Sequence, residues 1–120
     1  ELTPPPRTYY MLELPVENPE SDEGSWRTIG YCGTMVVADT ADVQTIGVLP
    51  EYEGNGFGRA MLEQMHERAR EQGAERILLE VRADNPRAQR LYERNGYRAI
   101  HVRRGYYDDG TDAIIMECTF

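Results

Sequence analysis

The sequence is short of cysteine, histidine and long apolar runs, and each shortage excludes something. No stretch approaches the roughly 20 apolar residues a bilayer span needs, so no membrane association is expected. The first residues show neither the basic start nor the apolar stretch of a secretory signal. Two cysteines, Cys32 and Cys118, cannot build a disulfide framework, so a reducing cytoplasm is expected and both read as small buried hydrophobes. His66 and His101 lack partners at metal-ligand spacing, so both read as structural and no metal is expected. Cationic residues number 13 against 21 acidic ones, a net charge of -8 that argues against general affinity for nucleic acid. An acidic surface serves solubility or attracts a cationic amine or basic peptide, and the chain-wide charge does not choose between them.

What is present fits one globular domain over 120 residues with a modest core, at 40% hydrophobic and 28% charged residues. The opening ELTPPPRTYY does not begin with Met, and its prolines read as an extended segment over residues 1–8. Short strands are expected at 9–14, 29–37 and 43–48, with a polar loop at 15–25 and a turn at 39–42. A helix follows, with Met61, Leu62, Met65 and Ala69 on one stripe and Gly73 as its stop. The run RILLEV at 76–81 reads as a central strand covered on both faces. A second helix opens with Asn85 as N-cap and Pro86 behind it, shows Ala88, Leu91 and Tyr92 on one face, and ends at Asn95-Gly96. Strands at 97–102 and 113–119 complete a mixed α/β sheet.

The stretch VQTIGVLPEYEGNGFGR organises the chain: an apolar strand, a glycine-rich turn and a helix start. Glycines at 54, 56 and 58 allow positive φ and close approach, so successive N–H groups converge on one point at a helix N-terminus. That is an anion site suited to a phosphorylated cofactor. Gly58-Arg59-Ala60 lacks the Lys-Ser/Thr ending of a Walker loop, and the spacing of the glycines is not that of a dinucleotide fingerprint. A plain tight turn remains possible on the loop alone. Glu80 stands within the apolar run, where a carboxylate is costly unless functional or paired, Arg82 and Arg103 being the candidate partners. Tyr92 is either a core aromatic or a functional hydroxyl.

The second half of the chain resembles the GNAT family of acyl-CoA N-acyltransferases. The loop Glu53-Gly54-Asn55-Gly56-Phe57-Gly58 is similar to the family's Q/R-x-x-G-x-G/A, with Glu53 where Gln or Arg is usual. The pattern N-x-x-A-x-x-L-Y-x-x-x-G-F/Y is matched by Asn85, Ala88, Leu91, Tyr92, Gly96 and Tyr97. LLEVRADN, RRGYY and DAIIM resemble its RimI-type protein N-terminal acetyltransferases. The resemblance implies a mixed, mostly antiparallel sheet with splayed central strands and helices on its faces, and acetyl-CoA as cofactor. It implies that Ile46, Gly47 and Val48 line the acetyl and pantetheine arm. Gly54, Asn55, Gly56, Phe57, Gly58 and Arg59 would hold the pyrophosphate, largely through backbone N–H groups, and Asn85 the cofactor arm. Glu80 would be the general base and Tyr92 the acid that protonates the departing thiolate. Tyr106 and Tyr107 would close over the acceptor, a protein N-terminal peptide of ribosomal origin beginning with Ala. A small amine or lysine is the alternative acceptor, and a CoA-binding module without turnover is the reading from another class. Family members usually open with a strand and two helices that shape the acceptor site; nothing here supplies them, so the domain is expected to be incomplete at its N-terminus. The missing basic character of Glu53 and Asn55 is expected to lower affinity for CoA.

Overall fold

The computed structural model describes residues 7–16 and 25–120. Most of the expected opening segment and most of the loop at 15–25 lie outside the described residues. Six strands form one sheet: β1 (Arg7–Val16), β2 (Ser25–Val37), β3 (Thr40–Val48), β4 (Arg76–Arg82), β5 (Arg98–Arg103) and β6 (Ala113–Thr119), in the order β1-β2-β3-β4-β6-β5. Every neighbouring pair is antiparallel except β3 and β4. Two α-helices, α1 (Phe57–Glu71) and α2 (Pro86–Arg94), complete the described fold, preceded by a 3₁₀ turn at Pro50–Tyr52. This is the mixed, mostly antiparallel architecture expected.

Local chemistry explains both helices. The stripe Met61, Leu62, Met65 and Ala69 is the buried side of α1, and Gly73 beyond its end takes φ 92°. Asn85 caps α2 by accepting from the Ala88 N–H at 3.1 Å, with Pro86 in the first turn. Both helices feed one core cluster, in which Met61, Leu62 and Met65 meet Cys32, Val36, Ile77, Leu79, Val81 and Tyr92.

The sequence-based reading of β4 needs correction. Ile77, Leu79 and Val81 are buried, but Leu78 and Arg82 are only half-buried and Glu80 is exposed, so among the described residues only one face is covered. The opposite face carries Tyr9, Met11 and Tyr31, each more than half exposed.

The β2–β3 turn also falls earlier than expected. Ala38 and Asp39 form it, with Ala38 at φ 54° and Val37 paired to Thr40. The placement has a tertiary purpose. The Asp39 carbonyl accepts from the Glu75 N–H at 2.7 Å, and its carboxylate accepts from Arg76 at 3.1 Å and from the Thr40 hydroxyl at 3.0 Å. Asp39 thus fastens the start of β4 beside the start of β3. The two strands then pair only over Thr40, Ala41 and Asp42 against Arg76, Ile77 and Leu78. Beyond Asp42 the strands part, and the sheet opens as a wedge towards their carboxyl ends.

Candidate active site

Two cavities meet across this wedge. The larger, about 840 Å³, lies on the helix side; the strand segment Ile46, Gly47 and Val48, the loop glycines and α2 line it. The smaller, about 570 Å³, includes Asp42, Glu80, Arg103 and Tyr107. Ile46 lines both. Because β3 spends its hydrogen bonds on β2 along one edge and has no ladder with β4 past Asp42, the peptide groups of 46–48 on the wedge side are left for a ligand.

The larger cleft has the chemistry of a phosphate site. Gly54 and Gly56 take φ 81° and 83°, which turns the loop into α1 with Gly56 as N-cap. The Ala60 N–H is the first to be satisfied, by the Gly56 carbonyl at 3.0 Å. The N–H groups of Phe57, Gly58 and Arg59 stand ahead of it at the positive end of the helix. Gly58 allows close approach: a Cβ there would come 2.9 Å from a Leu91 methyl, so a larger residue would require Leu91 of α2 to shift. Arg59 lines the cleft and also pairs with Glu63 at 3.0 Å.

The side chains of Asn55 and Phe57 do not line the cleft. Asn55 donates to the Tyr52 carbonyl at 3.2 Å, bracing the loop, and Phe57 packs edge-on against Tyr52 with ring centroids 6.2 Å apart. Sequence reasoning missed Arg87, Arg90 and Arg94 on α2, which also line this cleft. Their spacing on one helix of an acidic chain was the available signal. Asn85 lines the cleft while its Oδ1 caps α2.

Tyr92 is 6% exposed, packs its ring 5.8 Å from that of Tyr97, and reaches the same cleft. Its hydroxyl makes no hydrogen bond among the described residues, and burial raises its pKa above the ordinary value. The group therefore keeps its proton throughout the physiological range.

Glu80 faces the other cavity. Its side chain is 38% exposed and its carboxylate lies 3.7 Å from Arg103, so the ion-pair alternative takes the form of a partly solvated pair with Arg103 and not a buried one. Arg82 is otherwise engaged: it pairs with Asp84 at 3.0 Å and with Asp109, donates to Thr111 at 3.1 Å, and lies over the Tyr107 ring at 4.7 Å. Those contacts fix the 104–112 loop beside β4. Tyr107 lines the smaller cavity; Tyr106 does not, being 47% exposed and packed edge-on against Tyr107. Asp42, a half-buried carboxylate in the same cavity, is missed by sequence reasoning, because only the β3–β4 register brings it beside Leu78 and Glu80. Burial, and then the Glu80 charge, raise its pKa.

Cys32 and Cys118 are buried free thiols, and burial pushes Cys32 up to about 11. His66 is half-buried and hydrogen-bonded to the Tyr97 hydroxyl at 2.7 Å. None of the three lines either cavity.

The wedge thus joins a glycine loop at a helix N-terminus to two cavities, with the Glu80 carboxylate in one and the Tyr92 phenol in the other. The chain belongs to the acetyltransferase (GNAT) family, whose model matches residues 5–97, and acetyl-CoA is its cofactor. The chain is 43% identical over 86 residues to the ribosomal protein bS18-alanine N-acetyltransferase of Escherichia coli K12, covering 69% of this chain and 58% of that protein. A Bacillus subtilis relative is 37% identical over 110 residues, covering 91% of this chain and 73% of its own length. The crystal structure of the E. coli ribosomal-protein-S18-alanine N-acetyltransferase superimposes with a TM-score of 0.70 at 35% identity, covering 91% of this chain and 68% of that one. The described helices and sheet are thus those of the family, and the chain spans under two thirds of the curated E. coli relative.

Proposed function

We propose that this chain transfers an acetyl group from acetyl-CoA to the free α-amine of a protein N-terminus, as the names of its E. coli relatives describe for ribosomal protein bS18. The observation that carries the reading is the position of Ile46 in both cavities. A donor group lying along the β3 edge in one cavity would meet an amine entering from the other at that residue.

The residues present fit the cofactor. Free peptide groups at 46–48 suit an extended amide-bearing arm, and the N–H groups of Phe57, Gly58 and Arg59 suit a pyrophosphate. Bound there, acetyl-CoA supplies a thioester carbonyl open to attack by an amine. Glu80 stands on the acceptor side, where its carboxylate takes the proton the amine must lose. Tyr92 stands on the cofactor side and holds a proton for the sulfur atom. Arg103 keeps Glu80 in place, and Tyr107 with the anchored 104–112 loop walls the acceptor groove. Neither Cys32 nor Cys118 reaches the site, so the transfer is direct, without an acyl-enzyme on this chain. An α-amine has a pKa of about 7.7–8.0 against about 10.4 for lysine, so it presents far more neutral amine at pH 7. A partly solvated carboxylate suits that easier deprotonation.

Thiol release from acetyl-CoA is the test, with peptides beginning Ala, Ser or Met and a blocked peptide carrying free lysine. The sequence contains no lysine, so the protein's own ε-amines cannot contribute background. Turnover on the Ala peptide that falls at least a hundredfold in Glu80→Gln, with unchanged CoA affinity, is expected. Turnover confined to lysine or small amines would overturn the acceptor assignment. Saturable CoA binding with no turnover on any amine would leave a cofactor-binding module.

A further inference from the structure

The cofactor cleft of this acidic chain is lined by four arginines, Arg59, Arg87, Arg90 and Arg94, and by a single carboxylate, that of Glu53. The carboxylate sits in the first position of the glycine loop, where the family pattern usually places Gln or Arg. It is not idle: Glu53 Oε2 lies 3.0 Å from an Arg87 guanidinium nitrogen. The same guanidinium lies against the loop, 3.1 Å from where a Cβ on Gly54 would stand. Arg87 is therefore held over the mouth of the loop whose N–H groups await a phosphate, and its partner there is a carboxylate.

Resting on the function proposed above, we propose that Glu53 is a resident counter-ion for Arg87, displaced when the cofactor's pyrophosphate binds. Arg87 then exchanges Glu53 for a phosphate oxygen, a bidentate partner its planar guanidinium fits equally well. The exchange has consequences of definite sign. Without cofactor, the pair satisfies Arg87 and tethers the loop to α2. With cofactor, Glu53 loses its cation and stands as an anion beside a dianionic pyrophosphate. The carboxylate thus weakens CoA binding twice, by occupying the arginine and by repelling the phosphates. The side chains of Arg87 and Glu53 are 61% and 40% exposed, so solvent screens both effects and each is modest. Sequence alone suggests that Glu53 and Asn55 leave the loop poor in positive charge. The structure supplies that charge from α2 instead, and makes its availability conditional on Glu53.

Arg90 and Arg94 follow Arg87 by three and seven residues, so the basic row continues along α2 away from the loop. Both line the cleft, but neither pairs with Glu53.

Calorimetric titration of the purified protein with CoA and with dephospho-CoA separates these roles without any acceptor or turnover. In Glu53→Gln, the dissociation constant should fall about three- to tenfold for both ligands, and the gain should shrink as salt rises. Arg87→Gln should weaken both ligands, and Glu53→Gln in that background should give a smaller gain than in wild type. A purely structural ion pair predicts the reverse sign, because losing it loosens the loop. Unchanged or weakened CoA affinity in Glu53→Gln overturns the counter-ion role and leaves the acetyltransferase reading untouched. Failure of the wild type to bind CoA overturns both. A thermal melt of each variant shows that the fold is intact.

Discussion

Replacing Tyr92 by Phe removes one oxygen from a buried ring and separates the two roles a tyrosine can have there. The ring packs against Tyr97 at 5.8 Å and is 6% exposed, so the Phe variant keeps the packing. The hydroxyl has no hydrogen-bond partner among the described residues, so nothing is left unsatisfied by its removal. The expected stability change is within about 0.5 kcal/mol, a shift in melting temperature of no more than about 4 °C for a chain this size. The expected catalytic change is far larger. A positioned general acid contributes roughly 10²- to 10⁴-fold, equivalent to about 2.7–5.4 kcal/mol of barrier at 1.36 kcal/mol per decade. Steady-state thiol release at saturating acetyl-CoA and peptide, a thermal melt and a CoA titration measure the three quantities separately. The signature is a loss of kcat with melting temperature and CoA affinity near wild type. A kcat within threefold of wild type would refute the acid role and leave Tyr92 as a core aromatic. A drop of 10 °C or more in melting temperature would refute the claim that its hydroxyl is structurally idle.

Three further expectations follow from the same contacts. Asn85→Ala removes the cap on the Ala88 N–H and should cost about 1 kcal/mol by thermal or urea denaturation, while also weakening CoA; a neutral change in both would show that neither the cap nor the cleft uses the side chain. His66 has its pKa lowered first by burial and then by Arg70, against an opposing Glu63. Its unfolded form binds a proton more readily than its folded form, so stability present above the unfolded value of about 6.5 is lost as pH falls through the depressed folded value. The melting temperature should therefore decline between about pH 7 and pH 5, and decline less in His66→Gln; equal slopes would sink the assignment. Arg82→Ala should free Asp109, Thr111 and the Tyr107 ring, and with them the 104–112 loop, from β4, raising KM for the peptide while CoA affinity holds. An unchanged KM would show that the loop's position does not matter to the acceptor.

Local signals in this chain were legible and non-local ones were not. The ends of both helices could be read because Gly73, the Asn85-Pro86 pair and Asn95-Gly96 each act through contacts within a few residues. Sequence places the turn after β2 too late because Asp39 and Asp42 are equivalent turn signals. Only Asp39 is used by the turn, and its partners Glu75 and Arg76 arrive from more than 35 residues away. The run RILLEV reads as covered on both faces because consecutive apolar residues mark no single face. The alternation of buried and open positions appears only once the helices have settled on one side.

The same distinction divides the site. The phosphate loop was readable because glycine at a strand-to-helix junction has few physical reasons to be there, and the backbone supplies its donors. The charges around that loop were not, because their effect depends on how α2 lies across it. Glu53 by itself subtracts positive potential, but beside Arg87 it becomes half of a pair that a phosphate can break. Asp42 is likewise unremarkable until the three-residue contact of β3 with β4 brings it beside Leu78, on the face that carries Glu80. Resemblance suggests roles for Glu80 and Tyr92, yet it does not say that they line different cavities. That separation carries a chemical consequence. On the proposed function, the wedge at Ile46 would put the Glu80 carboxylate on the side the amine enters and the Tyr92 phenol on the side of the thioester, so that each would serve its own proton. The short pairing of β3 with β4, fastened at Asp39, is therefore as much a part of the site as either side chain.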